Sequence, residues 1–264
     1  MKLGCQARSF GKGIYPDEAT FLDVVRQTGE VGFVGLETNW KNLERYFEAP
    51  ETFKSILDDA GLEFIGAHYG APHWDEAERG RIREEGVQIA DFVAAVGGRY
   101  IVCSGRRPNQ GDVAEEMWEK TAEGLNLLGD ECAPKGVKLA YHNHWWECEQ
   151  EGLPKLAQYA SPDTVGFAFD TGHHERAGKN SADLVRALPG RMDIIHLGDY
   201  ASDAGGNVLR PRLGSGVLDL ADLRSALEGF TGWLVLEEEN DVASPIDEVS
   251  ECIKVMREFV EGNV

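Results

Sequence analysis

Positive charge is scarce in this chain. Its 264 residues carry 26 Lys and Arg against 46 Asp and Glu, a net charge of −20. A surface this acidic repels phosphate backbones and anionic lipid heads, so neither nucleic acid nor membrane is expected as a partner. Long apolar runs are missing too. None approaches the roughly 20 residues of a bilayer span, and the opening MKLGCQARSFGKG lacks the apolar stretch of a secretory signal. Cysteine is sparse and unpatterned. Cys5, Cys103, Cys132, Cys148 and Cys252 are never spaced as Cys-x-x-Cys, which argues against a disulfide framework or zinc knuckle and for a reducing, cytoplasmic setting. No low-complexity segment or linker interrupts the chain. Its length fits either two domains of about 150 residues or one α/β barrel of about 250. With 42% hydrophobic and 9% aromatic residues, it can bury a large core, so the acidity is not that of a disordered polymer. Ordinary solubility and adaptation to a salty cytoplasm both account for it.

The chain does have a strong rhythm. Short apolar runs predict strands at Lys2–Ala7, Phe33–Thr38, Glu63–His68, Tyr100–Ser104, Lys138–Asn143, Val165–Asp170, Asp193–Leu197 and Trp233–Glu237. They recur every 25–35 residues or so, about the size of a βαβ unit. Between them lie helix-like stretches at Asp17–Gly29, Pro50–Ala60, Asp75–Val96, Asp112–Ala133, Leu153–Tyr159, Ser181–Leu188, Asp219–Leu227 and Pro245–Glu261. In the first, Phe21, Val24 and Val25 follow the i, i+3, i+4 spacing of a buried helix face. Gly61, Gly97-Gly98, Pro134 and Gly229 stand where helices should stop. Eight βα units predict a single (β/α)8 barrel over residues 1–264. An open doubly wound sheet uses the same alternation, but no Gly-rich phosphate loop follows the first strand.

In such a barrel, catalytic groups sit at the C-terminal ends of the strands, and these ends are polar here. They read Glu37, His68, Cys103-Ser104, Tyr141-His142-Asn143-His144, Asp170-Thr171-Gly172-His173-His174, His196 followed by Asp199, and Glu237-Glu238-Glu239. All seven histidines, including His73, fall at or just after an expected strand end. Such a set implies a pocket of imidazoles and carboxylates, the donor mixture for Mn²⁺, Mg²⁺, Co²⁺, Zn²⁺ or Fe²⁺. Asp170, His196 and Glu237 end three consecutive strands and can meet over the barrel axis. A fourth ligand would come from strand five, as His142 or Glu147. Each residue also has a plainer reading: Asp170 as a helix cap, His196 as a core histidine, Glu237 as part of a solvated acidic run.

The segments YHNHWWE (141–147), FDTGHH (169–174), IHLGDY (195–200), LGSGVLDL (213–220) and GWLVLEEEN (232–240) resemble, in order and spacing, the xylose isomerase-like TIM barrels. That group includes the sugar phosphate isomerases/epimerases, inosose dehydratase-like proteins and, more distantly, endonuclease IV. The resemblance implies metal ligation by Asp170, His196 and Glu237. The epimerases usually place a Glu where His142 stands. The dehydratase-like branch shares the Tyr-His-x-His form with a Glu downstream, which favours Glu147 as fourth ligand, with His142 next. Trp145-Trp146 replace the Gly-Thr usual in that branch.

The chemistry so implied is a divalent-metal-dependent isomerisation or epimerisation of a sugar or cyclitol through a metal-stabilised enediolate, with Mn²⁺ the leading ion. The alternative is dehydration or lyase chemistry on a keto-sugar or inosose. His144 is the leading general acid/base, then Glu237, then His142. His68, His173, Trp146 and Arg212 are expected to contact substrate. Trp40, Trp145 and Trp146 either form an apolar wall for a sugar face or pack as loop aromatics. Arg210 is expected to pair with the acidic surface. More remote readings are an endonuclease IV-like nuclease and a non-catalytic sugar-binding subunit. A homo-oligomer is compatible with all of these.

Overall fold

The computed structural model describes residues 1–108, 114–239 and 242–264. Its strands are β1 (Lys2–Gln6), β2 (Gly35–Asn39), β3 (Glu63–Gly70), β4 (Tyr100–Ser104), β5 (Lys138–His142), β6 (Val165–Asp170), β7 (Met192–Leu197), β8 (Ala201–Ser202), β9 (Val208–Leu209) and β10 (Trp233–Leu236). All but β8 and β9 form one closed barrel of parallel strands in sequence order, with β10 pairing back to β1. The short antiparallel hairpin β8–β9 stands outside it. The helices are α1 (Glu18–Val31), α2 (Pro50–Asp59), α3 (Arg79–Val96), α4 (Glu115–Cys132), α5 (Trp145–Cys148), α6 (Gly152–Tyr159), α7 (Thr171–Arg176), α8 (Ser181–Ala187), α9 (Leu220–Ala226) and α10 (Pro245–Glu261). No helix among the described residues is long and apolar enough to cross a membrane.

Helix ends follow local chemistry. The Asp17 carboxylate caps α1 by accepting from the Thr20 amide at 2.8 Å. Asn180 and Asp219 cap α8 and α9 in the same way. The helix expected from Asp75 begins later, because Asp75 caps a separate 3-10 turn, Glu76–Glu78, and α3 starts at Arg79. The start expected at Asp112 lies outside the described residues, and α4 is described from Glu115.

The pleat decides which side chains face where. Along β6, Val165, Phe167 and Phe169 join the large core between strands and helices, while Ala168 belongs to a second cluster. That cluster fills the barrel interior with Ile65, Val102, Ala140, Ala168, Ile194, Trp233 and Val235. The Trp233 ring fits because Gly35 faces it: a Cβ there would meet the ring at 2.5 Å. This packed layer closes the barrel from its N-terminal side.

Candidate metal centre at the barrel mouth

Beyond the apolar layer, every barrel strand turns one polar side chain inward. These are Gln6, Glu37, His68, Ser104, His142, Asp170, His196 and Glu237, each within two residues of the C-terminal end of its strand. The inward parity follows from the pleat at most strands. In β3 it depends on a bulge: Leu36 pairs with Phe64 but Glu37 with Gly66, and the extra residue turns His68 to the interior.

The layer is hydrogen-bonded across strands. Gln6 Nε2 donates to Glu37 Oε1 at 3.1 Å, and His68 lies between Glu37 (3.4 Å) and Ser104 Oγ (3.1 Å). His196 is held from both sides, with Nε2 2.8 Å from Glu37 Oε2 and Nδ1 2.6 Å from Glu237 Oε2. Ligand atoms of His142, Asp170, His196 and Glu237 all lie within 4.8 Å of one another, and all four residues are buried. The electrostatics follow from this crowding. Burial raises Glu37, but the facing His196 and His68 outweigh it and hold the carboxyl down at about 2. Burial alone would keep His196 neutral, yet Glu37 and Glu237 raise it well above the ordinary imidazole range. Asp170 is pushed up to about 7 by burial and then by the charge of Glu237. Burial and the neighbouring imidazoles pull His142 well down, so it stays neutral, and its buried Nδ1 has no hydrogen-bond partner.

The donor set therefore fits a divalent cation. Two carboxylates sit too close to ionise together without one, a neutral imidazole nitrogen is left unpaired, and oxygen and nitrogen donors converge from four consecutive strands of the barrel. Glu37 supports the set by occupying Nε2 of His196, which leaves Nδ1 facing Glu237.

Strand-to-strand stitches fix these residues. The Asn143 amide donates to the Asp170 carbonyl at 3.0 Å, and its Oδ1 accepts from the Asp170 amide at 2.9 Å. Thr171 Oγ1 donates to the Gly198 carbonyl at 2.7 Å, joining the ends of β6 and β7. Ser9 Oγ bridges the Leu236 carbonyl and the Glu238 amide. Asp170 also caps α7 through the His173 amide at 2.6 Å, so its cap role and its place in the donor cluster coexist. Asp199 is structural. It accepts from the amides of Gly214, Gly216 and Leu218 and shapes the loop after the hairpin.

Several residues expected from the sequence fall elsewhere. Glu147, favoured there as fourth ligand, is not in the cluster. One oxygen accepts from the Tyr141 hydroxyl and the other from the His144 amide at 2.5 Å, in a capping box at the start of α5. His142, the second choice, lies within the cluster. Trp146 is no wall for a sugar: it is buried and stacked on Trp118, ring centroids 6.2 Å apart. Trp145 instead lies under Arg176, 4.4 Å from ring to guanidinium. Arg212 pairs with Glu248 at 2.8 Å, on α10. Arg210 pairs with Glu239, which Arg8 also holds at 2.9 Å. Arg8 and Glu239 line a mouth cavity of about 110 Å³ together with His68, His142, His144 and Glu237.

Two histidines do not converge on the mouth. His73 is buried beside a cleft lined by residues of α3 and α4, and His174 packs on Phe169. Burial holds both neutral, at about 4. Cys103 points outward into the core, so no thiol enters the polar layer. His144 stands at the rim with a third of its side chain exposed, its Nδ1 3.4 Å from Glu147. Burial lowers its pKa, but the bond and charge of Glu147 outweigh that and raise it. The residue that sequence reasoning left out of the site is Glu37. Its signal was a lone acid ending a strand.

A larger cleft of about 680 Å³ opens at the opposite, N-terminal face, lined by Lys2, Glu63, Tyr100 and Trp233 among others. No metal-ligating cluster among the described residues falls there.

Comparison with known proteins agrees with this architecture. The model of the family described as "Xylose isomerase-like TIM barrel" matches residues 25–259. A curated inosose dehydratase of Geobacillus thermodenitrificans (strain NG80-2) is 26% identical over 278 aligned positions, covering 91% of this chain and 90% of that protein. Two solved structures share the fold. An IOLI protein with a binding zinc atom superposes with a TM-score of 0.83 at 18% identity, covering 100% of this chain and 99% of that one. An L-ribulose 3-epimerase does so at 0.80 and 17%, covering 100% and 96%.

Proposed function

The chain belongs to the xylose isomerase-like TIM barrel family, and from that premise we propose that it is a divalent-metal-dependent enzyme that removes a proton next to the carbonyl of a sugar or cyclitol and then expels a β-hydroxyl as water. The observation that carries the proposal is the His142–Asp170–His196–Glu237 cluster with His144 beside it. When bound, the cation would act as a Lewis acid on the carbonyl oxygen of the substrate; Mn²⁺ or a similar ion suits the mixed oxygen and nitrogen donors.

The protein's own groups supply the proton steps. Glu237 is the base: its carboxyl is held low by His196 although burial raises it, so it is ionised and able to accept the α-proton. His144 is the acid: Glu147 raises its pKa, so it can carry the proton that the leaving hydroxyl takes away as water. The electron pair of the C–H bond becomes the new C=C bond. Glu37 holds His196, and His68, bonded to Glu37 and Ser104, fixes the cavity wall. The relatives support this outcome, because the aligned curated protein is named an inosose dehydratase.

Isomerisation or epimerisation, the outcome first expected from the sequence, shares the proton abstraction and ends with reprotonation on carbon. It is the second reading, favoured by the epimerase among the structural neighbours. The test is a panel of ketoses and inososes incubated with metal-loaded protein in D₂O. Loss of one water from an inosose supports dehydration, and deuterium incorporation without mass loss supports the second reading. Asp170→Asn should lose bound Mn²⁺. His144→Ala should keep it and lower turnover by about 10²–10⁴. An Asp170→Asn protein that still binds Mn²⁺ in full would refute the site.

A further inference from the structure

Beside the carboxylate-rich cluster lies a set of donors that the proposed chemistry uses only in part. His142, His144 and His173 each offer a ring nitrogen, and these atoms lie within 4.8 Å of one another. The rings are 5.1 Å (142 to 144), 5.9 Å (142 to 173) and 5.1 Å (144 to 173) apart. Nδ1 of His142 and of His173 is buried without a hydrogen-bond partner, while that of His144 has only Glu147 nearby, at 3.4 Å. Leaving such a nitrogen unpaired is costly, and two side by side next to a third imidazole point to a missing common partner. Their backbones are fixed: His142 ends β5, His144 caps α5, and His173 sits in the first turn of α7 with its amide on Asp170. The nearby Arg8 and Arg210 are both tied to Glu239, which offsets their charge.

We propose that the barrel mouth holds two seats for a divalent cation that share His142: the carboxylate-rich seat of Asp170, His196 and Glu237, and an all-imidazole seat of His144 and His173. A neutral imidazole binds a cation through one lone pair, so His142 serves one seat at a time. The seats differ in taste. Oxygen-rich sites suit Mn²⁺ and Mg²⁺, whereas imidazole sites suit Zn²⁺, Ni²⁺ and Cu²⁺. A cation in the imidazole seat also occupies His144 and so removes the acid from the reaction. The carboxylate-rich seat rests on the function proposed above; the imidazole seat does not.

The test is equilibrium dialysis of the full chain against Mn²⁺ and, separately, Zn²⁺. It compares wild type with His173→Gln and Asp170→Asn, with folding checked by circular dichroism. We expect His173→Gln to lose about tenfold or more in zinc affinity and to keep manganese affinity within about twofold. Asp170→Asn should show the reverse preference. Wild-type zinc affinity in a folded His173→Gln, or equal losses for both metals, overturns the imidazole seat. Two zinc ions bound per chain overturns the sharing of His142. If Asp170→Asn keeps full manganese affinity, the function proposed above fails while the imidazole seat stands. Should His173→Gln not fold, His144→Asn provides the same comparison.

Discussion

His196 owes its position to two acids on different strands. With Glu37 on Nε2 and Glu237 on Nδ1, the ring cannot turn, and a cation would displace the proton now shared with Glu237. Glu37→Gln should therefore weaken metal binding by about 10–100-fold without unfolding the chain, as read by dialysis and circular dichroism. Unchanged affinity would leave Glu37 a mere packing residue. Asp170, His196 and Glu237 were legible in the sequence because polar residues at strand ends stand out. Glu37 stood out equally but joined no known ligand pattern, and only its distance to His196 reveals its task. His73 shows the opposite error, since a histidine after a strand end need not face the mouth. Burial depresses it from 6.5 to about 4. Between those values the unfolded chain binds a proton that the folded chain refuses, so stability falls as pH falls through that window. Between pH 7 and pH 5 the loss from this residue should be about 2 kcal/mol. Urea titrations of wild type and His73→Leu at both pH values should show the gap shifting by that amount in favour of the variant. A constant gap would rule out a buried neutral His73.

At the scale of elements, strands were easier to read than short helices. β4 and β6 run over the residues predicted, because an apolar run of five or six bounded by polar residues leaves little room for error. The helices α5 and α7 carry no periodic signal at one turn or so, and what makes them helices is capping: Glu147 and His144 at one, Asp170 at the other. Glu147 was read as a ligand because a carboxylate near strand five has the right chemistry for either job. Its capping box and its bond from Tyr141 occupy both of its oxygens. Glu147→Ala should leave metal content at wild-type level and cost roughly 2–3 kcal/mol of stability in urea unfolding, since it strips a buried cap and strands the Tyr141 hydroxyl. Loss of metal with unchanged stability would restore Glu147 as a ligand.

At the scale of the whole molecule, the barrel stacks an apolar layer below a polar one, and the same pleat builds both. The eightfold rhythm and the polar strand ends made this architecture legible; which polar end meets which depended on register, including the bulge that turns His68 inward. The polar layer adds self-repulsion between Asp170 and Glu237 to a chain that already carries −20. A bound cation relieves it. At 100 times its Kd, Mn²⁺ should stabilise the fold by about 2.7 kcal/mol and raise the melting midpoint by roughly 5–10 °C, with a chelator reversing the gain in calorimetry. An unmoved midpoint would contradict a cation at this layer.

The Trp233 ring resting on Gly35 makes the barrel a blind-ended vessel. Whatever reaches the polar layer enters and leaves through one opening, so the order of arrivals is dictated. If a cation sits at this layer as proposed, it goes in first, and a substrate seated above it acts as a stopper. A chelator should strip metal quickly from the free protein and slowly from protein saturated with substrate, and equal rates would mean that a second way out exists.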